Sequence, residues 1–174
     1  NHMELNLLPP IFADLAEEFP LLHPSIQLMP FPALLGRIEN RQIHAAFGVK
    51  EGQGKSSLYF RELCSAPVAC VCSPGHPLAR YETLTKDQLS GSIITCSPRQ
   101  IPNTVFAIQN SILAKLPPEQ RFFTENVESA FTLAKARIGY TLYPDVVPAR
   151  EHGLKYIPVT DIPRMSFGVY YRYD

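Results

Sequence analysis

The chain has 174 residues, is 45% hydrophobic and 18% charged, and has no net charge because 16 Lys and Arg balance 16 Asp and Glu. That length suits one ordinary domain or two small lobes that share a cleft. A protein that holds nucleic acid by itself usually shows a basic stripe, and a membrane helix needs ~20 apolar residues in a row. Neither pattern occurs, so direct nucleic-acid binding and membrane insertion are both disfavoured.

The cysteines and the chain ends bear on cellular context. The four cysteines are Cys64, Cys70, Cys72 and Cys96. Cys70 and Cys72 are two residues apart on one predicted strand, so they share a face and form no zinc-type CxxC pair. Because no secretory signal is present, we expect reduced thiols in a cytoplasm. The opening Asn1-His2-Met3 is typical of a cloning scar, and we expect the chain to be a fragment of a longer protein.

Helical spacing dominates the start of the chain. Apolar residues recur at that spacing from Leu8 to Phe19. Pro9 and Pro10 lie at the start of this run, where they suit a first helical turn. The pattern predicts an amphipathic helix that ends at Pro20. Ile26 and Leu28 alternate with polar residues, which predicts a short strand. The predicted elements that follow are a stiff loop at 29–32, a helix at 34–38, a buried strand at 43–49, a flexible surface loop at 52–56 and a strand at 58–63.

The stretch 67–72 is β-rich and apolar and runs into a polar turn at 73–75. We expect this strand to carry the chain out of one small α/β lobe and into a second. Thr85 and Gln88 then form the pattern of a capping box at the start of a short helix.

Three residues mark helix boundaries in the second half. Asn103 and Asn126 are predicted N-caps, and Gly139 is a natural stop for the second of these helices. The remaining predicted strands are at 92–96, 122–123, 140–143, 154–159 and 166–171. Because strands alternate with helices throughout, the sequence predicts an α/β fold with mostly parallel sheets.

Several short motifs follow one another along the chain. They are LLPP at 7–10, IHAAFG at 43–48, SPGHPLA at 73–79, IGYTLYP at 138–144, GLKYIP at 153–158 and VYYR at 169–172. Their order and spacing resemble the effector-binding domain of LysR-type transcriptional regulators over nearly the whole chain.

The resemblance implies a fold and a layout. The fold is α/β, with two Rossmann-like subdomains joined by two crossover strands, as in type 2 periplasmic binding proteins. Residues 1–65 and 166–174 would form subdomain I, and 66–165 subdomain II. A small effector would bind between them.

The resemblance also implies partners. These are a small-molecule effector and a second copy of the chain in a homodimer, built from a helix of one lobe against a strand of the other. A tetramer is an option for the full-length protein. DNA would be bound only through an N-terminal winged helix-turn-helix, which is absent from this chain, and no membrane is involved.

The sequence departs from the family pattern in places that affect the site. His44 stands where the family has an acidic residue, and Arg137 stands where it has a glycine. The strand and loop that normally precede residues 7–9, and usually supply part of the effector site, are reduced to residues 4–6. We therefore expect part of the site to be absent or rebuilt.

Two walls of the cleft are predicted to contact the effector. One is the loop from Cys96 to Thr104, because it follows a strand and opens a helix whose free N–H groups and partial positive charge suit a carboxylate. The resemblance places an effector contact there too. The other wall is apolar, as pocket walls mostly are, and centres on Phe31 and Phe47. The predicted effector-binding residues are Pro30, Phe31, Phe47, Gly48, Cys96, Ser97, Pro98, Pro102, Asn103, Thr104 and Phe167.

The sequence contains no convergent acid, base and nucleophile, and no dinucleotide or zinc-protease motif. We therefore expect a ligand-sensing regulatory domain and not an enzyme, with no catalytic residue, metal or cofactor. Its effector, for which a small carboxylate is our hypothesis, would shift the lobe arrangement and so control DNA binding by the full-length protein. A small enzyme on the same scaffold and a secreted or cytoplasmic solute-binding protein stay open. So does redox sensing through Cys96, which lies near a helix N-terminus.

Overall fold

The computed structural model describes residues 2–51 and 57–173. Within them, the α-helices are α1 (Leu8–Glu18), α2 (Phe31–Glu39), α3 (Asn103–Leu113) and α4 (Val127–Lys135). The strands are β1 (Ala45–Val49), β2 (Tyr59–Ala66), β3 (Val68–Cys72), β4 (Ile93–Cys96), β5 (Arg121–Thr124), β6 (Thr141–Pro144), β7 (Lys155–Pro158) and β8 (Met165–Tyr171). Short 3-10 helices are His2–Leu7, Pro77–Arg80, Lys86–Gln88, Pro118–Gln120 and Val147–Ala149. The surface loop predicted at 52–56 lies outside the described residues, and no helix in the described part could cross a membrane.

Most of the strand pairings are antiparallel. β8 lies between β1 and β2, and β3 lies between β6 and β7, each central strand running against both neighbours. β4 and β5 are parallel, and a bridge between Ile93 and Tyr140 joins β4 to β6. The prediction of mostly parallel sheets is therefore wrong. β1 and β2 do run in the same direction, but β8 lies between them. In the same way β6 and β7 run in the same direction, with β3 between them.

The chain changes sheets at Pro67. Just before it, Ala66 of β2 pairs with Met165 of β8, and just after it, Val68 of β3 pairs with Pro144 of β6. We call the sheet β1-β8-β2 with α1 and α2 lobe I, and strands β3 to β7 with α3 and α4 lobe II. The molecule thus has the two-lobed α/β fold that the sequence predicts. The division at 65/66 and 165/166 stays a prediction, and the 3-10 helix His2–Leu7 contacts Val147–Ala149 of lobe II.

Two local capping predictions are confirmed. Asn126 caps α4, since its Oδ1 accepts a hydrogen bond from the Ser129 N–H at 2.7 Å. Thr85 and Gln88 form the capping box of the short helix Lys86–Gln88. These signals lie within three residues of each other, so the sequence alone suffices to recognise them.

Three other local predictions are wrong. Asn103 makes no side-chain cap, because α3 begins at Asn103 itself, after Pro102. The left-handed residue beyond α4 is Arg137, with φ of 64°, and not Gly139. A glycine is required at 139 because the backbone of Ser92 lies close to it, and a Cβ there would be 2.3 Å from the Ser92 carbonyl oxygen. The strand at Ile26 and Leu28 does not form: residues 22–30 have no regular structure, and both side chains are about half exposed, with no sheet face to pack on.

Candidate functional site

A cavity of about 300 Å³ lies between the two lobes. Lobe I contributes the entry to α2 and parts of β1 and β8. Lobe II contributes the loop before α3, part of α4 and the segment after β6. The volume is at the lower end of the range for small-molecule sites, so the cavity suits a compact ligand.

Most of the predicted effector contacts meet in this cavity. Those that line it are Pro30, Phe31, Phe47, Gly48, Pro98, Pro102, Asn103 and Phe167. Cys96, Ser97 and Thr104 are not part of the lining. The geometry brings the first group together, and their role in binding an effector stays a prediction.

Cys96 faces the interior of lobe II. Its Sγ lies 3.4 Å from Thr124 Oγ1 and 3.6 Å from the Asn126 carbonyl oxygen. Its N–H donates to Gln109 Oε1 at 3.3 Å. Burial raises the pKa of the Cys96 thiol, so the thiol stays protonated and away from solvent. A reactive cysteine needs the opposite conditions, so this environment gives the redox hypothesis no support.

The lobe I wall is aromatic and depends on a glycine. Phe47 of β1 and Phe167 of β8 stack with centroids 6.4 Å apart and an interplanar angle of 16°. Phe31 packs edge-on against Tyr170, with centroids 5.4 Å apart. A Cβ on Gly48 would come within 2.3 Å of the Phe31 ring, so only a glycine lets that ring lie over β1.

Part of the lobe II wall consists of aromatic residues that were not predicted from the sequence. Phe131 of α4 packs edge-on against Tyr143 and Tyr156, with centroids at 5.6 and 6.3 Å. Arg150 holds this wall in place, since its guanidinium makes a bidentate ion pair with the buried Asp145 and lies 5.3 Å from the centroid of the Tyr156 ring. The rule that ligands bind at the carboxyl ends of strands would have indicated Tyr143 near the end of β6. Phe131 carries no such signal, because it follows the pattern of a core helix residue.

The N-terminal segment contributes to the cavity wall. Met3 and Glu4, in the 3-10 helix His2–Leu7, both contribute to the lining. Burial raises the pKa of the Glu4 carboxyl. Glu4 therefore places a carboxyl group at the cavity.

The N-terminus of α3 is already bound to a carboxylate. Glu51, two residues beyond β1, accepts a hydrogen bond at 2.5 Å from the Asn103 N–H and another from the Thr104 N–H. Burial raises the pKa of Glu51 by more than these two hydrogen bonds lower it. The N–H groups predicted to hold an effector carboxylate thus hold one from the chain itself. Sequence reasoning missed Glu51, because a charged residue beside a polar loop is typical of a solvated surface.

Few charged groups reach the cavity. Among the described residues of the lining they are Glu4, Glu51 and the exposed Arg99. In the described ranges 2–51 and 57–173, no group of three or more His, Cys, Asp or Glu could hold a metal ion. The arrangement favours non-covalent binding of a ligand with an apolar body and one polar end.

Comparison with known proteins adds a family and a fold. A family model described as the LysR substrate binding domain matches residues 1–174. No curated protein matches the chain. The BenM effector-binding domain with its effector benzoate matches with a TM-score of 0.73 and 20% identity, over 98% of this chain and 80% of that one. Full-length BenM matches with a TM-score of 0.73 and 20% identity, over 98% of this chain and 58% of that protein. The reduced OxyR regulatory domain from Pseudomonas aeruginosa matches with a TM-score of 0.72 and 12% identity, over 97% of this chain and 84% of that one.

Proposed function

Because the chain belongs to the LysR substrate binding domain family, we propose that it senses a small-molecule effector for a LysR-type transcriptional regulator. The effector binds in the cavity between the lobes and is a small carboxylate. Domains of this family are regulatory domains and not enzymes, and the proposal gives this chain the same role.

The observation that carries the proposal is the composition of the cavity. Aromatic side chains from both lobes surround about 300 Å³, and the Asn103 N–H at the start of α3, to which Glu51 is bound, borders the cavity. An apolar ring would fill the aromatic part, and a carboxylate would accept hydrogen bonds at the other end. The BenM domain, which has a similar fold, binds benzoate, a ligand with these two features.

A ligand in this position can control how the two lobes are arranged. It contacts residues of lobe I, such as Phe47, and of lobe II, such as Tyr156, so its affinity depends on how the lobes are arranged. Binding then stabilises one arrangement, and this shift reaches the DNA-binding domain of the full-length protein through contacts in a homodimer. Light scattering at micromolar concentration should give the mass of a dimer. A monomer throughout would contradict the dimer.

The test of the proposed site is thermal denaturation with benzoate and a panel of other small carboxylates. A ligand at a hundredfold excess over its Kd stabilises the protein by about 2.7 kcal/mol. We expect Phe47→Ala to lose that stabilisation. Phe123→Ala should keep it, because Phe123 is 71% exposed and lies outside the cavity. Equal stabilisation of the two variants, or chemical turnover of the ligand, would contradict the proposal.

A further inference from the structure

Glu51 connects the two lobes. It follows β1 in lobe I, and its carboxylate accepts hydrogen bonds from the first two N–H groups of α3 in lobe II. Its backbone is held separately, since the Glu51 N–H donates to the Tyr170 hydroxyl at 3.2 Å. That hydroxyl donates in turn to the Val49 carbonyl at 3.0 Å. The position of the Glu51 backbone therefore does not depend on the contact made by its side chain.

We propose that Glu51 is an internal latch: in the free protein it occupies the position of the effector carboxylate, and the effector binds by displacing it. This inference rests on the proposed function, because it concerns the same cavity. It adds the residue that competes with the ligand and the inter-lobe contact that the ligand replaces.

The Glu51 side chain can leave without disturbing the fold. Tyr170 anchors the backbone of residue 51, so release requires only rotation about side-chain bonds. Burial disfavours the charged carboxylate more than the two α3 hydrogen bonds favour it, as the raised pKa of Glu51 shows. Rotation towards solvent returns the carboxylate to water, which removes that desolvation cost.

A ligand carboxylate has an advantage over Glu51 at this position. It can accept the same two hydrogen bonds, and an attached ring also fills the apolar cavity between Phe47 and Tyr156, which the short Glu51 side chain leaves open. Exchange therefore gains apolar burial without losing the hydrogen bonds of α3. It also frees the end of β1 from α3, so the free and bound proteins differ in a direct contact between the lobes.

The charged and titratable groups around the latch fit this exchange. Glu4 and Arg99 line the same cavity, and the Tyr170 hydroxyl faces Glu51. A ligand carboxylate at α3 would be repelled by a latched Glu51, so the incoming anion favours release of the latch.

The experiment is a titration with acetate, the probe carboxylate, of the whole 174-residue chain, monitored through the amide NMR signals of Asn103 and Thr104. Glu51→Ala should bind acetate at least tenfold more tightly than the original chain, with the largest shifts at these two amides. Glu119→Ala, which removes an exposed carboxylate outside the cavity, should behave like the original chain. If Glu51→Ala does not fold, Glu51→Gln keeps the shape, removes the charge, and should bind acetate more tightly than the original chain.

Equal acetate affinity with and without Glu51, or no acetate-dependent shift at Asn103 and Thr104 in either protein, would overturn the latch. Benzamide, a neutral probe of the apolar cavity, separates this failure from failure of the proposed function. Phe47-dependent binding of benzamide with no effect of Glu51 on acetate leaves the cavity as a ligand site without a latch. If Glu51→Ala binds acetate more tightly but the protein does not bind benzamide, the result supports the latch and contradicts the effector site.

Discussion

Strands β3 and β4 of lobe II differ from strand β2 of lobe I in how deeply they are buried. In lobe II, every residue of β3 and of β4 is buried, so these strands are covered on both faces. In lobe I, only Ala66 of the eight residues of β2 is buried. The buried residues of the small lobe I cluster are Ile38, Ala46 and Tyr170. We therefore expect β2 of lobe I to open locally at a lower free energy than β3 and β4 of lobe II.

The loop between α1 and α2 shows the same contrast. Leu22, Ile26 and Leu28 of this segment are close to half exposed, and Leu21 is 90% exposed. In α4 of lobe II, by contrast, the side chains of Val127, Ala130, Phe131 and Ala134 are all buried. Substitutions in the two lobes can test whether their stabilities differ as much as their burial indicates.

The largest effect should come from shortening one buried isoleucine in each lobe. Ile94 in β4 and Ile38 in α2 are both fully buried. We expect Ile94→Ala to lower the free energy of unfolding by ~4 kcal/mol and Ile38→Ala by ~2 kcal/mol, because the partly buried neighbours of Ile38 can collapse into the smaller space in lobe I. Urea denaturation under one set of conditions measures both. A larger loss for Ile38→Ala would reverse the comparison.

A second pair adds one methyl group at a glycine in each lobe. At Gly139 the new Cβ would meet the backbone of Ser92, which the bridge between β4 and β6 holds in place. At Gly48 it would meet the Phe31 ring, which can rotate away. We expect Gly139→Ala to cost ~2–3 kcal/mol and Gly48→Ala less than ~1 kcal/mol, while Gly48→Ala weakens ligand binding about tenfold. Denaturation and ligand titration measure the two effects separately, and an unchanged ligand affinity in Gly48→Ala would show that the Phe31 wall does not contact the ligand.

The smallest effect is a pH dependence of the free energy of unfolding that comes from His76 in lobe II. His76 Nδ1 accepts the Leu78 N–H at 3.0 Å, so the turn requires the neutral ring, and burial lowers the pKa of His76 from its ordinary value of 6.5. Its contribution to stability is therefore complete above pH 6.5 and is lost as the pH falls below that value. The loss should be under ~1 kcal/mol, as for other helix caps.

The matched variants for that effect are His76→Asn, which keeps an acceptor without titrating near neutral pH, and His152→Asn, which changes an exposed histidine. The free energy of unfolding should vary less between pH 7 and pH 5.5 in His76→Asn than in the original chain. His152→Asn should follow the original chain. The same pH dependence in all three proteins would remove His76 as its source.

Much of the fold could be predicted from the sequence because its signals are local. Helical spacing located α1 and α4, and Asn126 and Thr85 act on residues three positions away. The strand directions could not be predicted in this way, since β8 pairs with β1 across more than a hundred residues. The cap at Asn103 failed for a different reason, because α3 begins at Asn103 itself, after Pro102. The acceptor for the Asn103 N–H, Glu51 in the other lobe, could not be predicted from local sequence either.

The residues of the cavity also fall into those that local sequence patterns indicate and those that only the packing of the lobes reveals. Residues that follow strands or precede helices, such as Pro98 and Pro30, could be predicted from general rules about where ligands bind. Tyr156 and Phe131 belong to the interior of elements, so only the packing of the two lobes shows that they face a cavity. The raised pKa of Glu51 likewise depends on burial that the sequence does not reveal.

The central claim is that the cavity between the lobes binds the effector. The most direct measurement is a crystal structure with the carboxylate that gives the largest thermal stabilisation. We predict its apolar body between Phe47 and Tyr156, with its carboxylate on the N–H groups of Asn103 and Thr104 and the Glu51 side chain turned away. Density for the ligand outside this cavity would contradict the claim.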